Sequence, residues 1–289
     1  MKESTGFEVY CYPQRPLTEE EKKLPCARFY TDYPMLKMNP ILQQAIDAGP
    51  MDPADAIEAK NWLSLADIAF QGYRPVMFGY CMMPDGSGFY IEYSTSPATW
   101  QGKWRRWFGT WYNRYSRSMV PGQGNLRYKI WNPIDHWDHK FINGENDRDG
   151  VWSLETLDIG KSGDPSKGIP QISYRLNLRD YGLTEETEEK LQAMDVRLEG
   201  FREKFPGNPG HHLVLRFSRP CPLGGRESVN CEWLGYDAVD GKIIRDESTP
   251  CNEEYVKNIL IHNTLERQHL YQVLPDLYEA YHDKDLYDD

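Results

Sequence analysis

The sequence predicts an α+β fold in which one antiparallel sheet is flanked by helices. Several short strand-like segments follow one another from residue 77 onward, with loops between most of them. Two long helical patterns interrupt or close this series, so helices do not alternate with every strand as in βαβ proteins. Residues 1–75 are rich in proline and hold helix candidates without an alternating pattern. We therefore expect an N-terminal helical arm over residues 1–75 and a main domain over residues 76–289.

The N-terminal arm contains two helix candidates. Thr18 and Glu21 have the spacing of a capping box, which predicts a helix start at this point. Pro53 precedes a run from residue 54 to residue 70 whose apolar side chains fit a helical period. Neither segment carries obvious chemistry.

The main domain contains the strand series and both long helices. Strands are predicted at residues 89–93, 126–131, 151–159, 172–178, 212–217 and 231–236. Residues 184–205 carry apolar side chains at helical spacing and predict the first helix. Residues 252–281 predict the second, in which Pro275 is expected to cause a kink or a division.

The composition excludes several classes of protein. There are 33 Lys and Arg residues against 44 Asp and Glu residues, a formal charge of −11, and no basic cluster that would favour nucleic acid. No segment has the apolar length of a membrane span, and the first residues lack the apolar core of a signal peptide. We therefore expect a soluble, cytoplasmic protein. The six cysteines form no CxxC pair and are expected to be free thiols.

Six of the seven histidines fall into three close pairs, a distribution that favours a metal or acid–base site. On the C-terminal helix, His262 and Glu266 are four residues apart and project from one face, with His269 next along that stripe. They could bind one metal ion, or form an ion pair that faces solvent. Further ligands could come from residues 135–139 and from Glu155 or Asp158. Nitrogen and carboxylate ligands favour zinc, manganese or ferrous iron.

Four tryptophans, Trp100, Trp104, Trp107 and Trp111, follow one another at helical spacing. Such a stripe is typical of core packing. It could also form the wall of a pocket for a flat aromatic ligand. The two interpretations are compatible, because a pocket wall is packed on its other side.

Four segments together resemble the family of 2,4-diacetylphloroglucinol hydrolase and phloretin hydrolase, enzymes that cleave an acyl group from a phenolic ring. They are residues 99–111 with a Trp-Phe-Gly core, residues 126–136, residues 212–234 with the Gly224-Gly225 turn, and residues 261–278. The resemblance covers about residues 77–281. It implies a helix-grip fold, similar to pollen-allergen and lipid-transfer domains, in which a curved antiparallel sheet surrounds a long C-terminal helix.

The resemblance also implies a set of site residues. Zinc would be bound by His136, Glu155, His262 and Glu266, with Asp158 as the alternative to Glu155. A small phenolic or polyketide substrate and a homodimer, with the N-terminal arm at the dimer contact, are implied as well. The predicted pocket residues are Trp104, Trp107, Trp111 and His269.

Catalytic roles follow from the same resemblance. Tyr128 matches the family's tyrosine near the metal, and His211 or His212 matches an acid–base position. Neighbouring residues on a strand point to opposite faces, so only one of these two histidines should line the pocket. His139 stands where relatives carry a small polar residue, which predicts an altered substrate contact. Asn132 stands where a histidine is expected and is assigned to the surroundings of the metal.

Three other functions are compatible with parts of the sequence. The same fold and metal could catalyse a cyclisation or isomerisation of a polyketide. The segment His136-Trp137-Asp138 imitates half of the facial triad of ferrous 2-oxoglutarate oxygenases, although this leaves His262 and Glu266 unexplained. A non-enzymatic binder of phenolic ligands is the third alternative.

Overall fold

The computed structural model describes residues 14–35, 37–100, 102–113, 122–143 and 149–284. In these ranges the α-helices are α1 (Ala27–Thr31), α2 (Pro40–Asp47), α3 (Leu65–Gln71), α4 (Gly102–Asn113), α5 (Leu126–Trp131), α6 (Glu185–Ala193) and α7 (Glu253–Tyr281). The strands are β1 (Gly79–Met82), β2 (Gly88–Thr95), β3 (His136–Phe141), β4 (Val151–Glu155), β5 (Ile169–Leu176), β6 (Arg197–Lys204), β7 (His211–Pro220), β8 (Arg226–Leu234), β9 (Tyr236–Val239) and β10 (Lys242–Arg245). None of the described helices is long and apolar enough to cross a membrane.

One large antiparallel sheet organises the chain. Its eight strands lie in the order β1-β2-β8-β7-β6-β5-β4-β3, and β9 and β10 form a separate hairpin. Because β8 pairs with β2, strands that are far apart in sequence are neighbours in the sheet. The predicted α+β fold with an antiparallel sheet and a long C-terminal helix is confirmed. The helix-grip assignment remains a prediction from the resemblance.

One face of this sheet is apolar and is covered by the N-terminal helical layer. Alternate side chains of the central strands, including Phe89, Leu215 and Trp233, share a buried core with Trp62 and Leu65. The indole Nε1 of Trp233 donates a hydrogen bond of 2.6 Å to the carbonyl oxygen of Ile57, which ties this layer to β8. Successive side chains of a strand point to opposite faces of the sheet, so the remaining side chains of these strands, which are largely polar, point to the other face.

The C-terminal helix α7 packs against β1 and β2 on that opposite face. It begins where the side chain of Asn252 accepts a hydrogen bond of 2.9 Å from the backbone N–H of Tyr255, and Glu253 and Glu254 follow in the first turn. The helix runs through Pro275 as one element, so of the two predicted effects the division is wrong and the kink stays a prediction. Proline removes one backbone donor, but the neighbouring side chains Leu274 and Leu277 are fully buried and hold this part of α7 in place.

Residues 126–131 form the helix α5, and the predicted strand is wrong. The alternating letters resembled a strand, but Asn125 caps a helix by accepting a hydrogen bond of 3.2 Å from the N–H of Tyr128. The polar positions Arg127 and Lys129 are buried along with their apolar neighbours. Polar and apolar residues alternate in this segment, but both kinds are buried, so the alternation does not mark a buried face and an exposed face.

The segment 184–205, predicted as one helix, contains the helix α6 and the strand β6. Asp195 lies between them with a φ of 54°, which ends the helix. The apolar residues of this segment fit the two-residue period of a strand as well as the 3.6-residue period of a helix, so the pattern alone does not decide between them. Gly200 in β6 is required by a close approach, because a Cβ there would lie 2.6 Å from Cδ2 of Leu178.

The N-terminal predictions are confirmed in part. Thr18 and Glu21 form the capping box: the N–H of Thr18 donates to Glu21 Oε2 at 2.9 Å, and the N–H of Glu21 donates to Thr18 Oγ1 at 3.2 Å. The predicted helix over residues 54–70 is wrong in its extent. Short 3₁₀ turns at Pro53–Asp55 and Ala59–Ser64 precede α3. Asn61 interrupts the helical backbone with φ −108° and ψ 17°.

Candidate metal centre

Four predicted metal ligands come from three elements that meet at one edge of the sheet. His136 begins β3 and Glu155 ends β4, and the two residues are direct partners in the antiparallel pair. His262 and Glu266 lie one turn apart on α7, on the side of the helix that is buried. The side chains are between 1% and 10% exposed. The fold thus brings together residues that are up to 130 positions apart in the chain.

The donor atoms of these residues point at one another. Nε2 of His136 lies 3.1 Å from Oε2 of Glu266 and 3.9 Å from Oε2 of Glu155. Nε2 of His262 lies 3.6 Å from Oε2 of Glu155 and 3.9 Å from Oε2 of Glu266. Tetrahedral ligands at about 2.0–2.1 Å from one zinc ion are separated by about 3.3–3.4 Å. The four observed separations, 3.1–3.9 Å, are close to this value. The ligand atoms of His136, Glu155 and His262 all lie within 4.8 Å of one another, a group that does not include Glu266.

Both imidazoles are oriented by acceptors on their other nitrogen. Nδ1 of His262 lies 3.1 Å from Oδ2 of Asp135, and Nδ1 of His136 lies 3.3 Å from the backbone carbonyl oxygen of Tyr128. This arrangement fixes the tautomer that leaves Nε2 available for a metal. Nε2 of His136 is buried and has no hydrogen-bond partner among the described residues. A buried ring nitrogen without a hydrogen-bond partner fits the role of a metal ligand.

Glu155 is held through its second oxygen. The hydroxyl of Tyr128 donates to Oε1 of Glu155, and Nε2 of Gln171 donates to the same oxygen at 3.0 Å. Burial alone would raise the pKa of Glu155, but the charge of His136 and the hydrogen bonds from His262 and Tyr128 bring it well below its usual value. Burial and the charge of Glu155 raise the pKa of Tyr128 well above its usual value, so this phenol stays protonated.

The charges around His262 are those of a site that a cation can occupy. Burial would lower the pKa of His262, but hydrogen bonds to Asp135 and Glu155 raise it well above its usual value. Burial raises the pKa of Asp135. The carboxylates therefore attract positive charge to Nε2 of His262, where a metal ion would compete with a proton.

A family model described as the DAPG hydrolase PhiG domain matches residues 60–279. The chain belongs to the DAPG hydrolase family. The match begins inside the N-terminal layer and ends in the last turn of α7, so it includes all four donors. No curated protein matches the chain. Membership of this family makes the chain an enzyme, and it supports hydrolase activity.

Asp158, the alternative ligand to Glu155, lies outside the donor group of this DAPG hydrolase family member. Its Oδ1 accepts a hydrogen bond of 2.9 Å from Nδ2 of Asn258, and its Oδ2 lies 2.6 Å from Nζ of Lys161. The strand β4 ends at Glu155, so Asp158 lies beyond the strand. The geometry therefore brings together His136, Glu155 and His262, with single ligand atoms within 4.8 Å of one another.

A β-bulge explains why His136 and His139 lie on the same face. The register of β3 and β4 shifts between His136 and Asp138, so His139 pairs with Ser153, two residues before Glu155. The rings of His136 and His139 both contact Tyr128, with centroids 4.0 Å and 4.5 Å away. Asp138 instead pairs with Leu154 and falls on the other face. The tripeptide that suggested an oxygenase therefore does not converge on one metal.

Two further histidines with unpaired nitrogens lie near the centre. His269 is fully buried one turn beyond Glu266, and neither of its ring nitrogens has a hydrogen-bond partner among the described residues. Burial, together with the charge of His136, lowers the pKa of His269 to about 4. Nδ1 of His139 is also unpaired in the described part of the chain, and burial lowers the pKa of His139 to about 3. Both side chains are neutral hydrogen-bonding groups at neutral pH.

His211 and His212 point to opposite faces of the sheet. His211 is 28% exposed and contacts Asp246 through Nδ1 at 2.6 Å. His212 is buried, with Nδ1 2.5 Å from Oε1 of Glu232 and its ring against Phe205. Of the two, His212 is on the side of α7, where its ring lies 6.2 Å from that of Tyr255. Its acid–base role remains a prediction.

The tryptophan stripe packs on the C-terminal half of α7. Trp104 and Trp107 contact Tyr278, and Trp111 contacts Tyr281, with ring centroids 5.3–6.0 Å apart. These contacts are those of a helix–helix core, and they account for the helical spacing. The role of Trp104, Trp107 and Trp111 as pocket residues remains a prediction.

Sequence reasoning missed two supporting residues of the centre. The sequence pattern presents Asp135 as one of several possible ligands, whereas the structure makes it the group that orients His262. Nothing in the sequence marks Gln171, which donates to Glu155. The position of Asp135 directly before a candidate ligand was the available signal. Its distance to α7 depends on how the sheet edge meets the helix, and no local pattern contains that information.

Proposed function

We propose that this enzyme hydrolyses the carbon–carbon bond between an acyl group and a phenolic, phloroglucinol-like ring or a β-diketone, and that it uses zinc. The observation that carries the proposal is the convergence of His136, Glu155, His262 and Glu266, in a chain of the DAPG hydrolase family. Two imidazoles and two carboxylates suit zinc, although manganese and ferrous iron accept the same donors.

The reaction requires an unusual leaving group. Water adds to the acyl carbonyl carbon, the bond to the ring carbon breaks, and its electron pair passes to the ring. The ring carbon must gain a proton before or as the bond breaks, which is a retro-Claisen cleavage. The products are a carboxylic acid and the ring with hydrogen in place of the acyl group. Both atoms of hydrogen and the oxygen come from one water molecule.

The four donors would hold the metal, and the surrounding residues would hold the donors. When bound, zinc supplies a Lewis acid that polarises oxygen atoms and makes water more acidic. Asp135 keeps Nε2 of His262 directed at the ion, and the backbone of Tyr128 does the same for His136. Gln171 and the hydroxyl of Tyr128 fix the carboxylate of Glu155. His136, Glu155 and His262 are thereby oriented before substrate arrives.

Tyr128 is the residue best suited to act on the substrate. Its hydroxyl stays protonated, because burial and the nearby carboxylate oppose its ionisation. It contacts one ligand directly, so it lies within reach of a substrate oxygen at the metal. The phenol of Tyr128 can donate a hydrogen bond to a phenolic or carbonyl oxygen of the substrate, with its proton held at that oxygen. His139, whose ring also contacts Tyr128, would position the ring as a neutral side chain.

Incubation with a panel of acylphloroglucinols in ¹⁸O-labelled water tests this function. We expect loss of the acyl group from the ring and one ¹⁸O atom in the carboxylic acid, both measured by mass spectrometry. A product of unchanged composition would contradict hydrolysis and would support the cyclisation or isomerisation alternative. Binding without turnover of any compound in the panel would contradict the proposed substrate class.

Two variants and a matched control connect this activity to the centre. Tyr128→Phe should retain metal and have strongly reduced turnover, whereas His262→Ala should lose both metal and turnover. His282→Ala changes a histidine at the C-terminal end of the same helix, where the side chain is exposed and packs on Tyr278. It should retain full activity. Equal activity of all three variants would contradict the proposed site.

A further inference from the structure

Arg105 on α4 holds a guanidinium group beside the aromatic residues of the metal centre. Its Cζ lies 4.7 Å from the ring centroid of Trp131 and 5.7 Å from that of Phe108. The ring of Trp131 in turn lies 5.0 Å from the ring of His136, a proposed metal ligand. One indole therefore connects the guanidinium of Arg105 to the metal centre.

The partners of Arg105 differ from those of the two other arginines whose charges act on it. Arg216 on β7 lies 3.2 Å from Glu199, and Arg267 on α7 lies 2.9 Å from Glu92. Among the residues that the structure describes, Arg105 forms no ion pair with a carboxylate. Stacking on aromatic rings orients its guanidinium but does not neutralise the charge.

The surroundings of Arg105 contain an excess of positive charge. Burial lowers the pKa of Arg105, and the charges of Arg216 and Arg267 lower it further, although Tyr112 and Glu266 act in the opposite direction. A net shift of this sign is expected where a cation is removed from water and lies near other cations. An anion bound beside the guanidinium would balance this charge.

Accessible space adjoins both the arginines and the metal ligands. The strand β7 is the fourth of eight in the sheet, yet the side chain of Arg216 is 35% exposed. Arg105 is itself only partly buried. At the metal centre, the side chains of Glu155 and Glu266 keep 8% and 10% of their surface exposed. A ligand can therefore approach these groups.

The proposed cleavage leaves a negative charge on the ring of the substrate. As the bond between the acyl carbon and the protonated ring carbon breaks, its electron pair enters the ring. The charge then lies on a ring oxygen conjugated with that carbon, so the ring leaves as a phenolate and takes a proton from water. A planar guanidinium can donate two hydrogen bonds to such an oxygen.

We propose that Arg105 is a further substrate-binding residue, whose guanidinium binds the ring oxygen that becomes negatively charged. This inference rests on the proposed cleavage of an acyl group from a phenolic ring. The metal ligands and Arg105 would then face different oxygen atoms of one substrate. A fixed positive charge at the developing phenolate stabilises the transition state more than the neutral substrate.

Binding of 2-nitroresorcinol, a chromophoric phenol without an acyl group, to the zinc-loaded full chain tests this role. Its absorption spectrum distinguishes phenol from phenolate, so a titration measures the pKa of the bound ligand. Wild type should lower this pKa and bind the phenolate about 10- to 100-fold more tightly than Arg105→Met does. Arg105→Lys keeps the charge without the planar fork and should have an intermediate affinity. Arg106→Met is the matched control, because Arg106 is the exposed neighbour on α4, and it should bind like wild type.

Turnover of an acylphloroglucinol distinguishes this role from the proposed function. The kcat of Arg105→Met should fall by about 10²-fold, with the zinc content and far-ultraviolet circular dichroism of wild type. If wild type binds the phenolate through Arg105 but cleaves no acylphenol, the proposed function fails and the anion site stands. Equal phenolate affinity in wild type and Arg105→Met, or no binding to wild type, would overturn the role of Arg105. If Arg105→Met does not fold, Arg105→Lys provides the comparison, and wild-type affinity in that variant would overturn the bidentate contact.

Discussion

Replacement of Asp135 by asparagine is the sharpest perturbation of the proposed metal centre. Oδ2 of Asp135 lies 3.1 Å from Nδ1 of His262, and the carboxyl group is fully buried. Asparagine keeps the size of the side chain but removes its charge. Loss of such an orienting carboxylate lowers metal affinity by about 10- to 100-fold. At about 1.4 kcal/mol per tenfold change, the expected loss is about 1.4 to 2.8 kcal/mol of zinc-binding free energy.

Competition for zinc with a chromophoric chelator measures this loss directly. Asp158→Asn is the matched control, because Asp158 also contacts α7 through Asn258 yet lies outside the donor group. We expect its zinc affinity to equal that of wild type. An Asp135→Asn variant with unchanged affinity would refute the orienting role. Loss of affinity in Asp158→Asn instead would show that Asp158, rather than Glu155, is the ligand.

Three further predictions concern the surroundings of the centre. Tyr128→Phe removes the hydroxyl that donates to Glu155, and we expect kcat for acylphenol cleavage to fall by about 10²-fold with unchanged zinc content. Trp111→Ala removes an indole that is 1% exposed, and the free energy of unfolding in urea should fall by about 3 to 5 kcal/mol; a change within the error of the measurement would contradict the core role. Burial alone would raise the pKa of Glu21, but its hydrogen bonds with Lys129 and Thr18 lower it. Since the pKa of Glu21 is lowered on folding, its stabilisation is present above the unfolded value near 4.5 and is lost as pH falls through the folded value. The free energy of unfolding of Glu21→Gln, measured in urea, should therefore depend less on pH in this acid range than that of wild type. An identical pH dependence in the two proteins would contradict the stabilising role of the Glu21 carboxylate.

The two site residues on α7 could be predicted, because they are close together in the sequence. His262 and Glu266 are four residues apart, and helical geometry alone places them on one face. The same reasoning predicted the helix that carries Trp104, Trp107 and Trp111, and α4 confirms that helix. Spacing could not tell whether this stripe packs on α7 or on a ligand.

The N-terminal half of the site depends on long-range geometry. Glu155 and Asp158 could not be separated in advance, because the choice depends on where β4 ends. The bulge in β3 that brings His139 to the face of His136 leaves no signal in the residue pattern. Similarly, the helix α5 looked like a strand because its charged side chains are buried and their alternation carries no information about burial.

Zinc content and acylphenol cleavage in wild type, His262→Ala and Glu266→Ala test the central claim most directly. Glu279→Ala is the matched control, because Glu279 is an exposed glutamate on the same helix. Elemental analysis should find zinc at the centre in wild type and in Glu279→Ala, and both should release a carboxylic acid from an acylphloroglucinol. His262→Ala and Glu266→Ala should lose this zinc together with the activity. Full zinc occupancy of the centre in the last two variants would contradict the proposed metal-dependent hydrolase.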